Sequence, residues 1–205
     1  MTIRLHRGDL PDLSHYRTGA VAIDTETMGL HPHRDRLCVV QLSPGDGSAD
    51  VVQIPVRADN APNLASLLRD PAILKIFHFA RFDLVALQNA LGAMAAPVYC
   101  TKTASRLART YTDRHGLKDL VRDLLGIDLT KQQQLSDWGA EMLSDAQVAY
   151  AASDVLHLHA LRDKLDAMLA REGRTELAAA CFRFLPDRVR LDLAGWAGED
   201  IFAHS

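Results

Sequence analysis

Ala20-Val21-Ala22-Ile23-Asp24-Thr25-Glu26-Thr27 is an apolar run that ends in two acids two residues apart. In a strand, residues i and i+2 point to the same face, so Asp24 and Glu26 converge at the end of a buried strand. On either side, apolar runs near 2–6, 36–43 and 49–54 read as further strands. Pro44-Gly45-Asp46-Gly47 supplies the turn between the last two. The first third of the chain therefore reads as a β-meander. Beyond it the period changes. Leu64, Leu67 and Leu68 predict a short helix, Ile73 to Phe77 a buried strand, and Ala80 to Leu91 a helix with Leu84, Leu87 and Leu91 on one stripe. A short strand near 97–100 and helices near 103–110 and 116–125 lead to one long helix from Asp145 to about residue 170. Ser144 and Gln147 have the capping-box spacing that fixes its start. Residues 171–205, with Phe182, Phe184 and Leu185 before Pro186, predict one or two short helices packed back on the rest. The layout is a mixed α/β domain, a central sheet flanked by helices.

With 205 residues, 48% hydrophobic and 24% charged, the chain has the balance of a globular protein. It carries no run of about 18 apolar residues and no apolar leader near Met1, which predicts no membrane partner and a cytoplasmic location. Cys38, Cys100 and Cys181 are too few and too scattered for a disulfide framework and predict small, buried or half-buried side chains. A net charge of −3 advertises no polyanion partner. Any nucleic-acid role has to be read from local features.

Those features are acids where a core is expected. Asp83 stands in the first turn of its helix beside Leu84, at the edge of the buried face. Asp154 falls on the stripe Tyr150, Asp154, Leu158, Leu161, Leu165, which is otherwise apolar or aromatic. An inward carboxylate needs a cation, strong donors or a raised pKa, and Lys and Arg are scarce on the faces it meets. Asp24, Glu26, Asp83 and Asp154 together make an all-oxygen set, suited to hard cations such as Mg²⁺ or Mn²⁺ rather than zinc. Two such ions can activate water and neutralise a leaving oxygen in phosphodiester cleavage.

Asp24-x-Glu26, His78-x₄-Asp83 and Tyr150-x₃-Asp154 resemble the three motifs of the DEDD superfamily of 3′→5′ exonucleases, in the subgroup with tyrosine in the last motif. Ala149 stands where the other subgroup carries histidine. Gly116-Leu117-Lys118-Asp119-Leu120, Leu124-Leu125-Gly126, Lys131 and Ser136-Asp137-Trp138 are similar to the block before the third motif of ribonuclease D. The resemblance covers roughly residues 15–170.

It implies a ribonuclease H-like exonuclease fold over residues 1–170, a short helical extension at 171–205, and none of the family's later helical nucleic-acid-binding modules. It also implies two divalent cations, Mg²⁺ or Mn²⁺: Asp24, Glu26 and Asp154 at the first, Asp24 bridging to the second with Asp83 assisting, and Tyr150 orienting the attacking water. Thr25, Thr27, Met28, Gly29 and Leu30 would contact the terminal nucleotide, and His78 would buttress the site on the substrate side. Lys102, Arg106 and Lys131 would meet backbone phosphates, within a wider basic set of Arg34, Arg36, Arg109, Arg114, Lys118 and Arg122. The expected substrate is the 3′ end of single-stranded RNA. The alternatives are the same chemistry on DNA, as in the Werner-type helicase exonuclease domain, and a catalytically silent RNA-binding adaptor. His157 and His159 face apart on their helix and predict packing or surface roles.

Overall fold

A computed structural model of the chain describes residues 2–17, 19–31, 33–56, 61–129, 133 and 135–204. Its strands are β1 (Thr2–Arg7), β2 (Ala20–Thr27), β3 (Leu37–Ser43), β4 (Ser48–Gln53), β5 (Leu74–Phe77) and β6 (Val98–Cys100). They form one six-stranded mixed sheet in the order β1-β4-β3-β2-β5-β6. β2, β3 and β4 are the expected antiparallel meander. β1 departs from it, lying parallel to β4 at the sheet edge with Arg4 directly across from Asp50.

This placement satisfies a buried charge. Asp50 is 2% exposed and accepts hydrogen bonds from Arg4 Nε at 2.7 Å, Arg4 NH2 at 2.9 Å and the Tyr16 hydroxyl, with His6 Nε2 2.7 Å away. A carboxylate removed from water requires such donors, and a parallel β1 delivers two of them from one face. Burial pushes the Asp50 carboxyl up, but the bonds from Arg4, Tyr16 and His6 prevail and hold it at about 2.

The helices are α1 (Pro62–Arg69), α2 (Ala80–Leu91), α3 (Thr101–Ala108), α4 (Leu117–Leu125), α5 (Asp145–Leu156), α6 (Leu158–Arg171) and α7 (Thr175–Leu191). The single helix expected from Asp145 to about residue 170 is two. They meet at His157, a turn residue at φ −104°, ψ −5°. The apolar stripe continues across the break, but its main partners change: α5 packs chiefly on β2, β3 and β4, whereas α6 packs chiefly on α3 and α4, with lesser contact to α7, β5 and β2. The bend lets one stripe serve both surfaces. It also sends His159 to the β3–β4 turn, where Nε2 lies 3.1 Å from the Ser43 carbonyl oxygen. Gly45 of that turn has φ +90°, and a Cβ there would come within 2.9 Å of the His159 ring.

The C-terminal segment also differs from the expected short helices. α7 is one 17-residue helix that runs through Pro186 and into a short turn at Asp192–Trp196 that is broken at Gly195, φ +109°. An internal proline costs about 3 kcal/mol. Here it is flanked by buried Ala178, Phe182 and Val189, and Phe182 packs on Tyr99 at a ring separation of 4.5 Å. Packing on both sides of the proline holds the helix together. Cys38 and Cys100 are buried, Cys181 is half-buried, and all three are free. Among the described residues no helix is long and apolar enough to cross a membrane.

Asp50→Ala strands the Tyr16 hydroxyl and unpairs Arg4, so urea unfolding at pH 7 should show a loss of about 3 to 5 kcal/mol. The wild-type advantage is fully present above the ordinary carboxyl value and lost as pH falls through about 2, so the two proteins should converge in acid.

Candidate metal centre

β2 and β5 run parallel, so their C-terminal ends open on one edge of the sheet. Asp24 and Glu26 close β2, and α2 starts one residue after His78-Phe79 at the end of β5, placing Asp83 in its first turn. α5 crosses this edge with its register fixed by the capping box of Ser144 and Gln147, in which both reciprocal bonds are made. Tyr150 comes from its middle turn and Asp154 from its last. Carboxylate oxygens of Asp24, Glu26 and Asp154 all lie within 4.8 Å of one another. Asp83, 2% exposed, joins through Thr25, whose Oγ1 donates to Asp83 Oδ1 at 2.7 Å. Gln41 Nε2 donates to Asp24 Oδ2 at 2.8 Å. Among the described residues, none of the four acids has a Lys or Arg partner.

Without a cation the cluster is electrostatically strained. Burial first, then the charges of Asp83, Asp154 and Glu26, raises Asp24 well above the carboxylate range. Glu26 is pushed to about 8 by burial and by Asp154 and Asp83. Burial lifts Asp83 to about 7 against the Thr25 hydrogen bond, and Asp154 to about 7 against the pull of Tyr150. The Tyr150 phenol is raised too, by burial and then by the Asp154, Glu26 and Asp24 carboxylates, so it stays neutral. An all-oxygen set crowded with like charge fits a hard divalent cation, which would remove the penalty.

Two contributors were not assigned roles from the sequence. Gln41 is one; a lone amide within the apolar run Leu37-Cys38-Val39-Val40-Gln41-Leu42 was the available signal. Trp138 is the other, 4% exposed with its ring 6.0 Å from that of Tyr150. The loop carrying it is fastened by backbone carbonyls: Gln147 Nε2 donates to Asp137 at 3.1 Å, Gln53 Nε2 to Ala140 at 2.9 Å and Arg36 NH2 to Gly139 at 3.3 Å.

Several of the remaining candidates follow the C-terminal ends of β2, β5 and β6. Thr25 is buried, its hydroxyl committed to Asp83. Thr27 Oγ1 donates to the Gly29 carbonyl at 2.5 Å, which tightens the turn after β2. Gly29 is crowded by Asp35, and Met28 lies against Gly139. Met28 and Leu30 are exposed, Leu30 by 79%. Thr101 Oγ1 donates to the Phe77 carbonyl at 3.1 Å, so His78 Nδ1, 2.9 Å from that hydroxyl, is the donor. Burial and then Lys102 push His78 down to about 3. Lys102 Nζ sits 4.4 Å above the Phe79 ring, and Phe79 holds a left-handed φ of +70°. Arg106 is exposed on α3. Lys131 lies outside the described residues. Much of the wider basic set is bound internally: Arg34 to Asp35, Arg36 to carbonyls of Leu37 and Ile54, Arg109 and Arg114 to Asp123, and Arg122 to Asp119 and Asp123.

This sheet, with acids converging from β2, α2 and α5, is a nuclease architecture. A family model described as 3′-5′ exonuclease matches residues 12–170, and the chain belongs to that family. Among solved structures it is similar to Brucella melitensis NrnC with bound Mg²⁺, at 62% identity and a TM-score of 0.96, with 100% of each chain covered. The same protein is also known bound to pGG, at 63% identity and a TM-score of 0.97. Escherichia coli RNase D, an exoribonuclease involved in structured RNA processing, aligns at 26% identity and a TM-score of 0.76 over 86% of this chain and 46% of its own. The mixed sheet flanked by helices is the ribonuclease H-like exonuclease fold expected from the sequence. Ribonuclease D of Gluconacetobacter diazotrophicus is 38% identical over 167 residues, 82% of this chain and 42% of that protein. The chain thus spans about two fifths of the length of the curated relatives it matches.

The raised acids have a thermodynamic consequence. An acid whose folded value lies above its unfolded one contributes stability present at low pH and lost as pH rises through the folded value. The melting temperature of the metal-free protein should therefore be drawn downward between about pH 4 and pH 8 by Asp83, Asp154 and Glu26. Adding Mg²⁺ or Mn²⁺ should raise it more at pH 8 than at pH 5, because binding requires the deprotonated acids. Differential scanning fluorimetry across that range measures both.

Proposed function

We propose that the chain is a divalent-metal-dependent 3′→5′ exonuclease that hydrolyses single-stranded RNA from its 3′ end. The observation that carries this reading is the convergence of Asp24, Glu26 and Asp154 within 4.8 Å, with Asp83 alongside and no cation paired to any of them among the described residues. Membership of the exonuclease family and the Mg²⁺ and pGG bound to the Brucella protein support it.

In this reading Asp24, Glu26 and Asp154 would hold one divalent cation, Mg²⁺ or Mn²⁺, and Asp24 and Asp83 would serve a second. When bound, such ions supply Lewis-acid charge that acidifies water and offsets negative charge on the leaving oxygen. The chain's own residues set the geometry. Tyr150, one helical turn before Asp154 and kept neutral, offers its hydroxyl to orient the attacking water. Trp138 fixes the tilt of that ring. Thr25 fixes one oxygen of Asp83. The exposed Leu30 and Met28 flank the place for the terminal nucleotide, and Lys102 and Arg106 line a phosphate path along the start of α3.

The test is digestion of 5′-labelled single-stranded RNA and DNA with Mg²⁺, Mn²⁺ or EDTA. The expected result is a 3′→5′ ladder on RNA that EDTA abolishes; a ladder on DNA alone would move the reading to that polymer. Asp24→Ala, Asp83→Ala and Asp154→Ala should each abolish the ladder with the fold retained. Tyr150→Phe should lose about 10² to 10⁴ in rate while still binding metal.

Charge reversal at Lys102 and Arg106 probes the phosphate path. It should weaken binding of all sequences alike and flatten its salt dependence, since neutralised phosphates release counterions without reading bases. The loss should be larger on an oligonucleotide of about 20 residues than on a dinucleotide, which reaches the acids without running along α3. Equal losses on both lengths would put the path elsewhere.

A further inference from the structure

Gln41 lies in mid-β3 directly across from Asp24 in the antiparallel pair and is fully buried. Its Nε2 donates to Asp24 Oδ2 at 2.8 Å. Its Oε1 is buried with no hydrogen-bond partner among the described residues. The amide's one bond therefore goes to an acid of the cluster, and its other half is an unmet cost to the fold. An apolar side chain of the same length would suit the surrounding strand better, since Leu37, Cys38, Val39, Val40 and Leu42 are all buried and apolar. Something other than packing accounts for an amide at this position.

Asp24 is the acid with most to gain from a fixed donor. Its charge is opposed by each of the other three carboxylates, so a free carboxylate would turn away from them. With Oδ2 pinned by Gln41, Oδ1 is presented in a constant direction at the end of β2. Asp83 has an equivalent arrangement, one oxygen held by Thr25. Groups that hydrogen-bond to a ligating carboxylate set its orientation, and losing one typically weakens metal binding about 10- to 100-fold.

We propose that Gln41 is a positioning residue for the divalent-cation site, acting through Asp24. This rests on the reading of the acids as that site. The experiment measures Mn²⁺ binding to the full chain by electron paramagnetic resonance, for wild type, Gln41→Met, Asp24→Asn and the double variant. Gln41→Met should raise the Mn²⁺ Kd about 10- to 100-fold, with the metal-free melting temperature equal to or above that of wild type. Nuclease activity lost at low Mn²⁺ should return at saturating Mn²⁺. In the Asp24→Asn background the Gln41→Met change should add nothing further, because its effect passes through the Asp24 carboxylate. Gln41→Asn keeps an amide but withdraws it from Asp24 by one methylene, and should weaken binding likewise; it decides the matter if the Met variant does not fold. A Kd within about twofold of wild type, or an equal weakening in the Asp24→Asn background, would overturn the proposal. Failure of the wild type to bind Mn²⁺ would instead overturn the site reading beneath it.

Discussion

Mutual repulsion among four crowded carboxylates, one buried and three half-buried, is the constraint around which this molecule is arranged. Asp24, Glu26, Asp83 and Asp154 come from β2, α2 and α5, and nothing in their own chemistry holds them together. Their convergence is imposed by backbone elements with independent reasons to be where they are. Parallel pairing of β2 and β5 opens both strand ends on one rim, the left-handed Phe79 turns the chain from β5 into α2, and a complete capping box fixes the register of α5. Apolar burial beneath these elements offsets the electrostatic cost of the cluster.

A comparison within the same sheet makes the point. Asp50 is as deeply buried as Asp83, at 2% exposure each, yet the two carboxyls move in opposite directions. Asp50 has Arg4, His6 and Tyr16 around it and is held at about 2. Asp83 has the Thr25 hydroxyl and backbone N–H groups but no cation, and burial lifts it to about 7. The chain can satisfy a buried acid when the purpose is to fasten an edge strand. Among the described residues no Lys or Arg pairs with the four acids, and much of the arginine is bound elsewhere, at Asp35, Asp119, Asp123 and Asp192. A cluster left unneutralised is one prepared for charge from outside.

The sequence made the acids legible because inward carboxylates violate local patterning in a way that periodicity detects: Asp24 and Glu26 by their i, i+2 spacing, Asp154 by interrupting an apolar stripe. It did not reveal the break at His157, since the stripe runs unbroken through it and only the change of packing partners dictates the bend. The parallel placement of β1 was likewise hidden, because it depends on the long-range contact of Arg4 and His6 with Asp50. Pro186 read as a stop because local propensity outranks distant packing in any sequence reading. Gln41 and Trp138 escaped for a related reason: their roles consist in what they touch across the sheet or along the loop, and neither spacing nor composition carries that information.

The most direct measurement is the anomalous diffraction of crystals equilibrated with Mn²⁺. Strong peaks are expected among Asp24, Glu26 and Asp154, with carboxylate oxygens at roughly 2.0 to 2.3 Å, the range of hard-cation coordination, and a second peak toward Asp83. Absence of Mn²⁺ from these four acids under conditions in which the protein degrades RNA would contradict the assignment of the cluster as the seat of the chemistry.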